Sequence, residues 1–548
     1  MKLLSRIFAG LAAFLLLTAC PNVDPKPDPD PTPTPKPDVT VSLGTARIGV
    51  DSFLDDAIKA SLEKDSDDSY RVASTGDPFS VVIDIFKDYD AARPFRRYWN
   101  YPVSYNFQLG AKPEVPAGAG NEIDLTGILP ATYNLGSRSK STSVYFSGLP
   151  DGILSLEGIN LTPESRFELT LSMVNPFFTD GTMTTSFAVD MRKFFGSSEA
   201  VDGELKFDAE LTPENGYKAS KVFHLSDVAF NPENFNAQNH NVRVDARIVL
   251  SGVVKYDGMK TTRARLNAAP AAMELNATVV LYDLTAESIT GQFDYKTRAV
   301  TGGMKFQSGL DALGVDFDEA DVLLGVDTDL SHPFDATVAL TGKKNRVSVG
   351  NVSNIVLPLP VAEPGGSTSE DFNLNEDGAL ASALSKTPDE LAFSVTTATR
   401  PGATGTVFLG KQNTIRFTPS VSVPLRFGER FDQTYSDTLS VPTSVGEALA
   451  TKSVELLGQV ANQLPMDAEM SFVLLDGTGR ALTRPVSAVY KADSQSDVKM
   501  TVSATGSGAQ PVSKAAVTFR VHGVKDSRPV KASDALSAQL SIKIPGDN

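Results

Sequence analysis

The sequence is poor in cysteine, tryptophan and histidine. Cys20 is its one cysteine, which excludes an internal disulfide framework and any zinc site built on cysteine ligands. There is one tryptophan, Trp99, and the four histidines lie far apart with no cysteine or carboxylate partner evident in the sequence. Neither a Gly-x-Ser-x-Gly nucleophile elbow nor a His-Glu-x-x-His zinc motif occurs. Stability must therefore come from buried apolar cores.

Long hydrophobic runs are also missing beyond the N-terminus, where Ile7–Leu17 follow the basic residues Lys2 and Arg6. This apolar segment is shorter than the ~20 residues needed to cross a bilayer, so it is typical of a signal peptide. It leads into Leu17-Thr18-Ala19-Cys20, which resembles the lipobox of bacterial lipoproteins. The resemblance implies a signal peptide over 1–19 and acylation of Cys20, which would attach the protein to a membrane through its lipid chains. The alternative is an ordinary signal whose cysteine stays unmodified.

The chain is acidic. Its 548 residues include 66 aspartates and glutamates against 50 lysines and arginines, a net charge of -16. Such a surface repels nucleic acid and anionic lipid, so we expect neither as a direct partner. With 41% hydrophobic residues, the chain is long enough to bury several cores.

A proline-rich spacer separates the predicted lipid anchor from the rest of the chain. Residues 20–40 contain the cysteine and the run Pro21–Asp38, PNVDPKPDPDPTPTPKPD. Alternating prolines favour an extended polyproline conformation, so this segment is predicted to be semi-rigid.

Beyond the spacer, apolar and polar residues alternate in many short segments, for example Val242–Leu250 and Val517–Val521. Each segment predicts a strand with one buried face. Short helical connectors are predicted to start near Asp51, Asn375 and Thr443. We therefore predict an all-β fold with few short helices, built of tandem antiparallel β-sandwich (Ig-like) domains after the linker. The predicted β-sandwich regions cover 41–260, 261–400 and 401–548.

A strand, a proline corner and a second strand occur three times. The corners are Asn175-Pro176-Phe177, His332-Pro333-Phe334 and Leu464-Pro465-Met466. Proline cannot donate a hydrogen bond to a sheet, so it marks the point where the chain leaves one strand for the next. The pattern indicates an internal repeat, with chance similarity among strand sequences as the alternative.

Two stretches of the sequence, LPDGILSLEGINL…ELTLSMVNPF and NQLPMDAEMSFVLLDGTG, resemble those of Bacteroidota lipoproteins of the outer membrane and cell surface. A C-terminal sheet ending near Pro545 adds to the resemblance, which covers about 45–548. It implies an outer-membrane, lipid-anchored protein of tandem β-sandwiches, exposed at the cell surface. It carries no catalytic residue.

An aromatic and basic cluster is the most binding-like feature of the sequence. Aromatic rings stack on sugars, and arginine reaches acidic groups. The alternative is a core or domain-junction strand with basic edges. The cluster comprises Arg93, Phe95, Arg96, Arg97, Tyr98, Trp99, Tyr101 and Tyr105, of which Arg97, Tyr98, Trp99, Tyr101 and Tyr105 are the predicted ligand-binding residues.

Calcium is the one cofactor that the sequence suggests. Asp316, Asp318, Glu319 and Asp321 form an acidic cluster beside a strand, and carboxylates are calcium ligands. A second segment, Asp371–Gly378, resembles a calcium loop but has Leu384 where the loop needs a bidentate acid. A solvated acidic face and a helix-capping turn are the respective alternatives.

Taken together, these features predict a non-catalytic binding or structural module of the cell envelope, for glycan or for another envelope protein. An envelope glycoside hydrolase with paired carboxylates is one alternative. A fimbrial or assembly subunit is another, and its C-terminal strand Leu540–Ile544 would then pair with a neighbouring subunit.

Overall fold

The computed structural model describes residues 37–54, 56–96, 102–174, 176–190, 195–306, 310, 314–315, 317, 319–384, 386–504, 506 and 511–546, without the side chains of residues 57, 142, 246 and 377. Strands make up 59% of the structure and helices 7%, and the strand pairs of its sheets are antiparallel. The all-β prediction with few short helices is confirmed. In the part of the chain that the structure describes, no helix combines the length and apolar character that crossing a membrane requires.

The first strands are β1 (Val39–Gly49), β2 (Leu62–Lys64), β3 (Tyr70–Thr75), β4 (Phe79–Ile83), β5 (Val103–Ala111), β6 (Glu122–Asp124), β7 (Thr132–Ser147), β8 (Ile153–Leu161), β9 (Arg166–Val174) and β10 (Asp180–Asp190). They are followed by β11 (Glu204–Leu211), β12 (Lys218–His224), β13 (Asp227–Ala229), β14 (Phe235–Asn236), β15 (Asn241–Thr262), β16 (Ala272–Tyr282), β17 (Ala286–Phe293), β18 (Val300–Lys305), β19 (Asp321–Thr328), β20 (Phe334–Lys344) and β21 (Val347–Pro358). The last strands are β22 (Thr368–Asn373), β23 (Glu390–Thr399), β24 (Gly405–Phe408), β25 (Asn413–Pro424), β26 (Asp432–Ser440), β27 (Val454–Asn462), β28 (Met466–Asp476), β29 (Val486–Tyr490), β30 (Ser494–Val502), β31 (Val512–Gly523) and β32 (Ala535–Ile544).

The α-helices are α1 (Asp56–Ala60), α2 (Arg263–Ala268), α3 (Ala381–Leu384) and α4 (Thr443–Leu449), and 3-10 turns cover Val50–Ser52, Arg93–Phe95, Pro232–Asn234 and Glu376–Gly378. Three of these connectors lie where the sequence predicts them, near Asp51, Asn375 and Thr443.

The sheets form three sandwiches, here named outer, middle and inner. The outer sandwich has sheets β1-β32-β27-β30 and β26-β31-β28-β29. The middle sandwich has sheets β2-β3-β25-β19-β22, with β4 also on β25, and β18-β23-β20-β21. The inner sandwich has sheets β12-β9-β16-β5 and β11-β10-β15-β14, with β6 and β7 also on β15. A further sheet, β13-β8-β17-β24, joins the inner sandwich to strand β24 of the middle one.

The same strand order recurs in all three sandwiches. Each has an N-terminal strand (β1, β3 with β4, or β5) that pairs with its last strand (β32, β25 or β16). The three proline corners each connect the two sheets at the same step, from β27 to β28, from β19 to β20 and from β9 to β10. At the third corner Asn175 lies outside the described residues. The predicted repeat is confirmed in the topology.

The sandwiches are nested rather than consecutive. The inner sandwich is inserted between the N-terminal strands of the middle one and β18, and the middle sandwich between β1 and β26 of the outer one. Strand pairing therefore crosses both predicted boundaries between sandwich regions, the one after residue 260 and the one after residue 400. For example, β1 of the region 41–260 pairs with β32 of the region 401–548. Period-2 patterning locates strands but does not identify their partners. Insertion costs little, because loop-closure entropy grows only by about 0.6 kcal/mol per doubling of loop length.

The C-terminal strand is occupied within its own sheet. β32 lies between β1 and β27, so both edges of Leu540–Ile544 are paired inside the molecule. The pairing with a neighbouring subunit that the sequence suggested at this strand would first require β1 or β27 to leave.

The buried apolar residues form two clusters. One fills the outer and middle sandwiches together, and the other fills the inner sandwich and includes Val407 of β24. The inner and middle sandwiches meet at His332, which is 1% exposed and has ring centroids 5.0 Å from Phe293 and 5.8 Å from Phe334. Gly405 passes so close that a Cβ there would lie 2.7 Å from His332 Cα. The junction is therefore tightly packed around an imidazole.

Acid is expected to weaken this junction. Burial lowers the pKa of His332 below its ordinary value of 6.5, although Nδ1 donates to Pro333 O at 2.9 Å. The unfolded chain then binds more protons than the folded one, so stability is complete above about pH 6.5 and falls as the pH drops towards the folded-state pKa. The free energy of unfolding should decrease by up to about 1.4 kcal/mol per pH unit in that window.

Denaturant unfolding between pH 7.5 and 5.5 measures this decrease. The variant His332→Phe, whose side chain cannot titrate, should show a shallower dependence of the unfolding free energy on pH. Equal slopes in the two proteins would contradict the assignment.

Candidate functional site

The aromatic and basic cluster predicted to bind a ligand lies partly outside the described residues, which do not include Arg97, Tyr98, Trp99 or Tyr101. Tyr105 is described, and it requires a correction. It is 6% exposed on β5, and burial raises its pKa to about 12. The ring is therefore part of the inner core and is not accessible to a ligand.

Two other described members of the cluster also make contacts within the protein. Phe95 is fully buried, and its ring packs edge-to-face on Phe146 of β7 at 5.4 Å. Arg96 forms an ion pair with Asp90. The alternation of aromatic and polar residues in β5 therefore reflects an inward face, the alternative that the sequence left open.

The acidic cluster predicted to bind calcium is likewise only partly described, because Asp316 and Asp318 lie outside the described residues. Glu319 accepts a hydrogen bond from Arg426 at 2.5 Å, and Asp321 is paired with Arg71. A cation at either carboxylate would have to compete with a guanidinium. Within the described residues, no group of three or more His, Cys, Asp or Glu side chains is arranged to hold a metal ion.

The second calcium-like segment is a capping turn in its described part. The amide of Asn375 donates to Ala320 O at 2.7 Å, and its side-chain oxygen accepts from the backbone N–H of Leu380 at 2.9 Å. Asn375 thereby holds the turn that leads into α3, and its side-chain oxygen, the atom that would bind calcium, already accepts a backbone hydrogen bond.

Two open cavities lie at the junctions between sandwiches. One of about 450 Å³ between the outer and middle sandwiches is lined by charges of both signs in equal number, from Glu319, Arg426, Glu429, Arg430, Lys525 and Asp526. Another of about 610 Å³ lies where the inner sandwich meets loops of the middle one. Asp227, Glu287 and His224 line it, and His224 Nδ1 lies 3.2 Å from Glu199 Oε1. The glycoside hydrolase alternative would use the paired carboxylates of this cavity, Asp227 and Glu287.

An exposed polar feature of the inner sandwich is a two-stranded ribbon, which comprises Arg138–Tyr145 of β7 and Arg243–Leu250 of β15. β7 pairs with β15 from Thr132 to Ser147, whereas β10 pairs with β15 only as far as Val249. Over Arg243–Ile248 the ribbon therefore consists of two strands alone among the described residues. Residues 136–141 and 143 are exposed in succession, so both faces of β7 are in contact with solvent there.

The register decides which side chains share a face of the ribbon. Tyr145 lies opposite Arg243, Ser143 opposite Asp245 and Ser141 opposite Arg247 on one face. Arg138 and Lys140 lie on the other face, opposite Leu250 and Ile248. One face thus combines an aromatic ring, 46% exposed, with hydroxyl and guanidinium groups.

Hydrogen bonds order part of this face. Asp245 Oδ1 accepts from Ser143 Oγ at 2.7 Å and from Arg243 Nε and Nη2 at 3.2 and 3.0 Å. These bonds, that of Ser143 first, lower the pKa of Asp245. The carboxylate of Asp245 is therefore paired with Arg243 and Ser143 of the ribbon itself.

The sequence pattern does not predict this ribbon. GSRSKSTS over 136–143 has turn-forming residues and no apolar alternation, so it does not fit the strand pattern. One indication of the ribbon is nevertheless present in the sequence. Serine alternates with arginine and lysine at period 2 over residues 137–141, and this segment contains no acidic residue although the chain is rich in acids.

No protein-family model matches the chain, and no curated protein matches it. Among solved structures, the chain is similar to a Parabacteroides distasonis protein named as secreted, at 8% identity and a TM-score of 0.27, with 93% of this chain and 99% of that chain covered. It is similar to a chain of infectious bursal disease virus strain Gx at 7% identity and a TM-score of 0.13, with 90% and 86% covered. Bacteroides uniformis β-glucuronidase 2 matches at 12% identity and a TM-score of 0.12, with 47% and 26% covered. At these TM-scores none of the likenesses supports an argument about fold or function.

Proposed function

We propose that this protein is a lipid-anchored, non-catalytic binding module of the cell envelope, placed on the outer membrane at the cell surface, and that the ribbon is its binding surface for a glycan. The observation that carries the proposal is the ribbon itself, which is exposed on both faces over residues 138–141 and is held in the packed inner core by Val144, Val244 and Leu250. A site on a rigid sheet pays little ordering entropy on binding.

The chemistry of the ribbon suits a sugar chain. The ring of Tyr145, which is 46% exposed, offers an apolar face for a pyranose. Ser139, Ser141 and Ser143 lie on the same face at alternate positions, about 7 Å apart from one to the next. Such a row of hydroxyl groups can bond the repeated hydroxyls of a polymer, which an isolated pocket could not do.

The predicted lipid anchor and the ribbon belong to different sandwiches. The spacer leads into β1, and its last residue, Asp38, contacts Lys543 Nζ at 2.7 Å and accepts from the backbone N–H of Gly546 at 3.0 Å. The anchor at Cys20 would therefore attach through the outer sandwich, whereas the ribbon belongs to the inner one. The middle sandwich lies between them in the order of insertion.

Replacing Tyr145 by alanine should weaken glycan binding at least about 10-fold, because stacking on an exposed ring is lost. The melting temperature should change little, since the ring is 46% exposed. The measurement is a glycan and envelope-protein screen of the full-length protein in an uncharged detergent, followed by titration of any partner found.

Val222→Ala is the matched control, because it removes a 43% exposed side chain from β12 in the other sheet of the inner sandwich. Binding that survives Tyr145→Ala unchanged would contradict the proposal. Release of new reducing ends from a bound glycan would instead favour the hydrolase alternative, with Asp227→Asn and Glu287→Gln as the variants to test next.

A further inference from the structure

We infer that the ribbon recognises acidic polysaccharides, in particular chains of carboxylated sugars. The inference rests on the proposed function and adds the charge class of the ligand. Its starting point is a local reversal of charge: the ribbon carries four bases, Arg138, Lys140, Arg243 and Arg247, and one acid, Asp245, in a chain whose net charge is -16.

Three of these four bases are available to a ligand. Arg243 is engaged by Asp245 and Ser143. Arg138, Lys140 and Arg247 are exposed, and among the described residues none of them takes part in an ion pair or a side-chain hydrogen bond. Three unpaired cations on one element are notable because the chain offers 66 acids that could have neutralised them.

The three cations lie on the two faces of the ribbon, and among the described residues no strand pairs with the edge of β7 that faces away from β15. Arg138 and Lys140 lie on one face about 7 Å apart, and Arg247 lies on the other face, opposite Ser141. A single polymer chain that follows the edge of β7 can therefore meet cations on both sides. Guanidinium groups bind carboxylates through paired, charge-assisted hydrogen bonds, which adds geometric selection to attraction.

The rest of the surface selects among polyanions. A duplex nucleic acid or a flat anionic membrane would bring its dense charge against the acidic remainder of the protein, where it is repelled. A polysaccharide with one carboxylate per ring is thin enough to touch the ribbon alone, and its hydroxyls and ring faces match the serine row and Tyr145. The ribbon therefore favours a carboxylated glycan over the other polyanions.

The test uses the full-length lipoprotein in an uncharged detergent, with polygalacturonate as the acidic probe and dextran as the neutral one. Replacing Arg138, Lys140 and Arg247 together with serine should reduce the affinity for polygalacturonate at least about 10-fold and flatten its dependence on salt. Dextran should bind more weakly to the native protein than polygalacturonate does. The change is confined to exposed side chains, so the melting temperature should be retained.

A control with the same net charge replaces Lys206, Lys218 and Lys255 with serine; all three are exposed on other parts of the inner sandwich. It should bind polygalacturonate like the native protein. Equal loss in both triple variants would overturn the inference, because overall charge rather than the ribbon would then set the affinity.

The remaining outcomes separate the inference from the function on which it rests. Equal binding of dextran and polygalacturonate, abolished by Tyr145→Ala and unaffected by the ribbon triple variant, would overturn the acidic ligand and leave the proposed function standing. Tight binding to phosphatidylglycerol vesicles, with none to polygalacturonate, would overturn it in favour of a lipid surface. Failure of both polymers to bind, together with an empty glycan screen, would remove the proposed function as well.

Discussion

Replacing Leu43 and Ile48 together with alanine is expected to lower the free energy of unfolding of the outer sandwich by about 4–6 kcal/mol, a large part of the 5–15 kcal/mol typical of a domain. Both residues lie on β1 and are 8% and 7% exposed. A bulge at Ser42/Gly44, where Gly44 has a φ of +119°, turns both side chains towards the core. The loss should be read by hydrogen exchange, as reduced protection of β27 and β32.

The position of the effect matters more than its size. β1 lies at the N-terminus, yet its partner strand begins at Ala535, so protection should fall near the C-terminus and be kept in β9 and β16 of the inner sandwich. Thr45→Ala, on the exposed face of the same strand, should stay within about 0.5 kcal/mol of the native protein. Loss of protection in the inner sandwich, with β32 unaffected, would be incompatible with the nested arrangement.

Truncation of Phe53 to alanine should cost about 3–5 kcal/mol and separate the unfolding of the outer and middle sandwiches. Phe53 is 6% exposed and packs edge-to-face on Phe431 at 5.7 Å and on Tyr435 at 4.9 Å, with Phe427 at 6.1 Å. These rings lie where the chain passes from the outer sandwich to the middle one and back again. Removing the central ring leaves a cavity at the junction, and scanning calorimetry should resolve an additional transition.

The matched control is Phe223→Ala in the inner sandwich, where the ring is 1% exposed and lies 5.6 Å from Phe167. It should destabilise the inner sandwich by a similar amount and leave the outer and middle sandwiches coupled. If Phe53→Ala shifted all transitions together without splitting them, the aromatic cluster would not be the element that couples the two sandwiches.

The candidate site illustrates why composition could not locate it. The predicted ligand-binding residues include Tyr105, which burial in β5 removes from solvent. The predicted calcium ligands include Glu319 and Asp321, which pair with arginines from distant segments. Arg71 and Arg426 are 250 and 107 residues away from the acids that they pair with. No local pattern encodes such a distance. The ribbon, by contrast, is defined by the register of β7 on β15, which places its serines and Arg247 on one face and Arg138 and Lys140 on the other.

The sequence by itself determined much of the local structure: the strands whose apolar and polar residues alternate, the positions of the proline corners and of three short helical connectors, and the acidic character of the chain. Period-2 alternation and proline carry that information within a few residues. Only the tertiary structure decided which strands pair, that the sandwiches are nested, and which charges remain available to a ligand. The physical reason is that strand edges pair through backbone groups common to every residue, so the partner is selected by the packing of the whole core and not by the strand's own sequence.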